Sequence, residues 1–347
     1  MKETRIDAQT LKTFAQELLE RLGFPAEDAA VEADQLVWAN LRGVDSHGVL
    51  RLPWIAEQVQ AKQFSTRPDI RIVRETAAIL VIDGDYGLGA VTATFAMKRA
   101  IEKARQVGIG WALLAHTVTP LAIGYFTRMA AEADMIGLAA TVDRPNLAPH
   151  GAKASGLHNG PISIAVPAKR HRPVLLDMAT SVAAWGKVAV AMDKGIEIPE
   201  GWALDKDGRS TTDPHQVRIL LPFGGYKGSD LSFMLECMSS ILAGDPRAGP
   251  TLSGKGDHPR HRQSSIMAAI DIATFADVEW YKEQVDELID GVKGLPAAEG
   301  CDEVLVAGEP EDRTAEDRAR HGIPLPEGTV SRLRDAAKRV DMQLPFG

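Results

Sequence analysis

The chain has 347 residues, 45% hydrophobic and 25% charged, a balance that permits a sizeable globular core. Its 39 Lys and Arg against 47 Asp and Glu leave a net charge of −8, which argues against a nucleic-acid binder, whose surface carries a basic face. Cys237 and Cys301 match no metal-ligand spacing, no run approaches the about 18 apolar residues of a membrane span, and "MKETRIDAQTLKTF" lacks the apolar core of a secretory signal. A cytoplasmic protein with reduced thiols and no membrane partner is expected.

The first seventy residues read as helices. In "TLKTFAQELLERLG", Leu11, Phe14, Ala15, Leu18, Leu19 and Leu22 form one stripe, with Thr10 as N-cap and Gly23 as stop. "PAEDAAVEADQLVWANLRG" repeats the scheme between Pro25 and Gly43, and a third helix begins at Pro53. From about residue 77 short apolar runs alternate with helical stretches: "AAILVIDG", "IGWALLAHT" and "MIGLAATV" read as strands around two helices. That alternation predicts βαβ units and a largely parallel sheet. "ISIAVPAK", "RPVLLDMATS" and "SSIMAAIDIATF" are further strands, "GGYKGSDLSFMLECMSSILAG" is a Gly-rich turn entering a helix, and helices return after Phe275. The fold class is α/β: a mixed, non-Rossmann sheet with flanking helices over 76–274, and a helical domain formed by segments 1–75 and 275–347 packing together.

Most of the chemistry is concentrated in "RGVDSHGVLRLP", residues 42–53, the link between the second and third helices. His47 can exchange a proton near neutral pH, Ser46 or Asp45 can orient its ring, and Gly48 removes bulk beside it. Arg51 follows four residues later, on the same face if the turn is α-helical, where a guanidinium can grip a carboxylate with two hydrogen bonds. Pro53 opposes that geometry by disfavouring the α region at Leu52. Read alone, the stretch is either an acid/base centre beside a carboxylate clamp or a helix cap with solvated side chains. "GGYKG", residues 224–228, is either an ordinary turn or a backbone approach to a phosphate or ribose with Lys227 as the cation; its spacing is not that of a P-loop. Gly84, Gly87 and Gly89 do not have the spacing of the dinucleotide fingerprint. His258 and His261 have no carboxylate or cysteine at metal-ligand spacing, so no metal is expected.

Five stretches together resemble the malate/L-lactate dehydrogenase type 2 family, which includes ureidoglycolate, sulfolactate and diketogulonate dehydrogenases and cyclic-imine reductases. They are "RGVDSHGVLRLP", "APHGAKASG", "LLDMATSVAAWGKV", "IPEGWALDKDGRSTTDP" and "LPFGGYKGSDLSFMLE", in the family's order; the likeness extends over residues 10–275. The resemblance implies a homodimeric oxidoreductase that uses NAD or NADP to interconvert a small 2-oxo acid and a 2-hydroxy acid. It assigns acid/base chemistry to His47, assistance to Ser46 and carboxylate binding to Arg51, with Asn159 and Lys187 facing substrate. Cofactor contacts fall on Thr119, Pro120, Asp143, Asp177, Met178, Ala179, Lys227, Gly228, Arg262 and Gln263.

This sequence also departs from the family pattern. Thr119 stands where many members carry a second histidine, which leaves His47 as the acid/base and argues against ureidoglycolate. "HNGP", residues 158–161, replaces the usual "GTNP". Asp143 favours a ribose diol and Arg144 a 2′-phosphate, so the sequence leaves NAD and NADP open. Lys187 occupies a position where the imine reductases tend to carry an aspartate. The alternatives are therefore a piperideine- or pyrroline-2-carboxylate reductase and a non-catalytic member that binds a small anion.

Overall fold

The computed structural model describes residues 3–256 and 258–346. The chain opens with β1 (Glu3–Ile6), α1 (Ala8–Arg21) and α2 (Ala26–Leu41), passes through two 3₁₀ turns (Asp45–His47 and Val49–Arg51), and enters α3 (Leu52–Gln60). There follow β2 (Arg71–Glu75), β3 (Ile79–Asp83), α4 (Gly89–Val107), β4 (Ile109–Thr117), α5 (Gly124–Ala131), β5 (Met135–Val142), β6 (Ile162–Val166) and β7 (Val174–Met178). Next come α6 (Trp185–Lys194), the short β8 (Ala203–Leu204) and β9 (Ile219–Leu220), α7 (Tyr226–Glu236) with a π-helical continuation (Cys237–Ile241), and α8 (Ala248–Leu252). The chain closes with β10 (Gln263–Asp271), α9 (Val278–Lys293), α10 (Glu309–His321), β11 (Ile323–Pro326) and α11 (Glu327–Lys338).

Seven strands form the main sheet in the order β2-β3-β4-β10-β5-β6-β7. Only β3 and β4 pair in parallel; every other neighbouring pair is antiparallel. The largely parallel sheet expected from the strand–helix alternation is therefore corrected. The units β3-α4-β4 and β4-α5-β5 do return each strand in the same direction, but β10 inserts antiparallel between β4 and β5. Its first seven residues, "QSSIMAA", are all buried, as suits a strand with neighbours on both sides.

The N- and C-terminal segments share one core. Leu11, Phe14, Leu18 and Leu36 pack with Leu325, Val330 and Leu333, and β1 pairs antiparallel with β11. Helix α1 is capped by Asp7, whose carboxylate accepts from the Thr10 amide at 2.9 Å, so Asp7 replaces the expected Thr10 as N-cap. Leu52 is helical despite Pro53, at φ −56° and ψ −44°, because burial of Leu52, Ile55 and Ala56 outweighs the local preference.

Candidate active site

The stretch 42–53 folds as two 3₁₀ turns broken at extended Gly48, not as the continuous α-turn assumed for His47 and Arg51. Buried Asn40, on the last turn of α2, ties both ends of the break. Its Oδ1 accepts from the Val49 amide at 2.8 Å and its Nδ2 donates to Asp45 Oδ1 at 2.7 Å. A Cβ at Gly48 would overlap the Asn40 carboxamide, so this glycine makes room for Asn40 rather than for the imidazole. Asp45 is further held by Arg318 of α10, through Nη1 at 2.6 Å and Nη2 at 3.0 Å. It is therefore Ser46 that orients His47, with its Oγ 2.8 Å from the ring Nδ1, which leaves Nε2 for exchange.

His47 is half-buried, and its pKa is lowered to about 4, first by burial and second by the charge of Arg51. The imidazole is neutral at pH 7. Arg51 folds back so that Nε donates to the Ser46 carbonyl at 2.7 Å. Its terminal nitrogens make no hydrogen bond or ion pair among the described residues. The other wall of the turn is α6: a Cβ at Gly186 would overlap Ser46, and the exposed Lys187 follows directly.

The sequence-predicted cofactor positions gather along one edge of the sheet. Strands β3, β4, β5 and β7 share a direction, so their C-terminal ends lie together with the starts of β6 and β10. Thr119 and Pro120 follow β4, Asp143 follows β5, and Asn159 precedes β6. Asp177 and Met178 end β7 and Ala179 follows it, while Arg262 precedes β10 and Gln263 begins it. Gly228 packs under Thr180, where any Cβ would overlap the Thr180 carbonyl oxygen, and this brings α7 with exposed Lys227 to the same edge. Leu121 and Val118 of the β4–α5 loop share a core cluster with Val49 and Leu52 of the stretch around His47, so the edge and the turn are neighbours.

That loop is clamped from two sides. A Cβ at Gly89 would overlap the Thr119 carbonyl, and buried Gln35 donates to the carbonyls of Pro120 and Ala122 at 3.3 Å each. Between them Leu121 takes φ +58°, a conformation costly for a γ-branched residue and held here by its surroundings. Asp177 still reaches solvent, but it stands in a recess where its carboxylate accepts from the Gly124 amide at 2.7 Å. The surrounding protein pushes its pKa up to about 7 against that hydrogen bond and the nearby Arg42. Asp143 accepts from Gln263 Nε2 at 2.9 Å, with Arg247 at 3.7 Å and His261 at 3.9 Å. Arg262 is bidentate to Asp245. Asn159 is engaged by Asn146 at 2.9 Å and lies 3.4 Å from Ser181, so its carboxamide ties three loops together.

Sequence reasoning missed Asn40, Gln35 and Arg318. Asn40 had one usable signal, a polar residue at a buried helix position just before the motif. Arg318 had none, because "EPEDRTAEDRARH" is charged throughout. Beside the edge, burial lowers the pKa of His158 to about 4, and its Nδ1 is buried without a partner among the described residues. Among the described residues no group of His, Cys, Asp and Glu could hold a metal.

A family model described as malate/L-lactate dehydrogenase matches residues 6–334. The chain is 38% identical to a malate dehydrogenase of Pyrococcus horikoshii, over 98% of this chain and 96% of that one. It is 37% identical to an L-sulfolactate dehydrogenase of Methanocaldococcus jannaschii, over 94% and 95%. Among solved structures, a malate dehydrogenase from Entamoeba histolytica superposes with a TM-score of 0.94 at 27% identity, over 99% of this chain and 100% of that one.

Proposed function

The chain belongs to the malate/L-lactate dehydrogenase family, and from that premise we propose that it is a nicotinamide-dependent 2-hydroxy acid dehydrogenase with His47 as its acid/base. The observation that carries the reading is the Ser46–His47 pair beside Arg51. The residues of the sheet edge suit a dinucleotide. Gly224 and Gly225 adopt φ +55° and +63°, which lets backbone approach a ligand closely at the entrance to α7. Thr119, Pro120, Asp177, Met178, Ala179, Lys227, Gly228, Arg262 and Gln263 would line the cofactor, with Asp143 and Arg144 toward the ribose. When bound, the nicotinamide supplies a hydride to the carbonyl carbon or takes it back.

The terminal nitrogens of Arg51 bind the substrate carboxylate and fix the carbonyl. In oxidation the neutral His47 takes the substrate hydroxyl proton at Nε2 as the hydride leaves; in reduction the ring first takes up a proton from solvent, and the imidazolium gives it to the developing alkoxide as the C–H bond forms. The Ser46 hydroxyl can donate to or accept from Nδ1, so it serves either ring tautomer. A bound carboxylate offsets the Arg51 charge and removes one of the two causes of the low His47 pKa. Malate and sulfolactate, the substrates named for the two relatives, each carry a second anionic group. Lys187 makes no ion pair among the described residues and is the cation for such a group.

The experiment follows NADH and NADPH oxidation with oxaloacetate, sulfopyruvate, pyruvate and piperideine-2-carboxylate, with His47→Ala as control. Turnover of oxaloacetate or sulfopyruvate that disappears in the variant is expected. Dinucleotide binding without turnover of any 2-oxo acid overturns the reading. For the homodimer, the exposed stripe of Phe233, Met234, Ile241 and Leu242 along α7 and its π-helical continuation is the face for a second copy. Light scattering tests it, with a monomeric mass as the contrary result.

A further inference from the structure

We propose that Arg318, carried by α10 in the C-terminal segment, is a positioning residue of the reaction, acting on His47 through Asp45 and Asn40; this rests on the reading of His47 as acid/base. The two 3₁₀ turns around His47 are three residues each and have no side-chain caps, so they do not hold their own shape. Their geometry is set from outside. The Arg318 guanidinium reaches the Asp45 carboxylate with two nitrogens and the Asn40 carbonyl at 2.5 Å with one of them. Asn40 in turn holds Asp45 at one end of the break and Val49 at the other. Ser46, His47 and Gly48 lie inside that closed loop of hydrogen bonds.

Attaching α10 to α2 does not require this contact. Arg42 already does so, through the Asp312 carboxylate and the Gly308 carbonyl at 3.2 Å. Arg318 has instead a local electrostatic role. Among the described residues, the charged contacts within the turn are Arg51 on the Ser46 carbonyl and Arg318 on the Asp45 carboxylate. Without Arg318 the Asp45 carboxylate stands uncompensated one residue from Ser46 and two from His47. A hydride acceptor held in a fixed pose requires the proton donor to be placed within a fraction of an ångström, so loosening the turn lowers turnover more than affinity.

The test uses the full chain with oxaloacetate and NADH, comparing Arg318→Met, Arg318→Lys and the double variant Asp45→Asn/Arg318→Met. The expected result for Arg318→Met is a kcat per folded molecule lower by about 10–100-fold, with KM for NADH within about two-fold. The NMR titration midpoint of the His47 ring moves up in Arg318→Met and returns in the double variant. If Arg318→Met does not fold, Arg318→Lys carries the comparison, since it keeps the charge and loses the bidentate geometry. An unchanged kcat with an unmoved midpoint overturns the proposal, as does a parallel loss of kcat, both KM values and melting temperature. His47→Gln separates the two claims. Full activity there overturns the His47 reading itself, whereas loss there with normal kcat in both Arg318 variants overturns only the positioning role.

Discussion

The turn proposed to carry the proton transfer and the edge proposed to hold the cofactor are built in opposite ways. The turn packs its functional groups into residues 45–51 and is closed by side chains: Asn40, Asp45 and Arg318 fix it through hydrogen bonds. The edge draws its residues from strand ends and loops separated by more than a hundred positions, and it is held by backbone contact, with Gly89 against Thr119 and Gly228 against Thr180. A proton-transfer group needs its direction fixed, which polar contacts do well. An extended ligand needs a long, level surface, which a sheet supplies and glycines open.

The contrast can be broken most sharply at its chemical centre. His47→Gln should lower kcat by about 10²–10⁴-fold while calorimetric affinity for the dinucleotide stays within about two-fold. Equal losses in both would mean that the turn and the edge are not separable. On the edge, Gly89→Ala introduces a Cβ against fixed backbone. A stability loss of about 3 kcal/mol, read from denaturant unfolding, is expected together with a raised KM for the cofactor.

Two groups, Glu32 of α2 and His47 of the turn, should respond oppositely to pH. Glu32 is buried in α2, accepts from the Ala90 amide at 3.3 Å at the start of α4, and has its pKa raised by burial from 4.5 to about 7. The folded state therefore holds this proton more tightly than the unfolded state, and stability is lost as pH rises between those values. Glu32→Gln should gain about 2 kcal/mol relative to the parent on going from pH 5 to pH 8. His47 has the reverse sign. Its folded pKa of about 4 lies below the ordinary 6.5, so its contribution is lost as pH falls through that window. Melting temperatures across pH 4–8 for Glu32→Gln and His47→Gln test both signs at once. The smallest effect is expected at Lys187. Lys187→Met should raise KM for oxaloacetate several-fold and change stability by less than about 0.5 kcal/mol.

The sequence was informative where chemistry is local. Ser46, His47 and Arg51 could be named because they are close in sequence, and the β3-α4-β4-α5-β5 alternation was visible in its hydrophobic pattern. It misled where one residue's preference met a packed surroundings. Pro53 argued against a helical Leu52, and burial decided otherwise. Asp45 looked like an orienter of the imidazole until a partner from α10, more than 270 positions away, claimed its carboxylate.

By itself the sequence determined which reactive groups exist, their order, and the common direction of β3, β4 and β5, since each follows from neighbouring residues or from one helix crossing. The tertiary structure alone decided that β10 lies between β4 and β5, that distant strand ends form one edge, and that Arg318 closes the turn around His47. These depend on burying whole strand faces and pairing particular polar atoms across the fold. Such energies belong to contacts between segments, and no single segment encodes them.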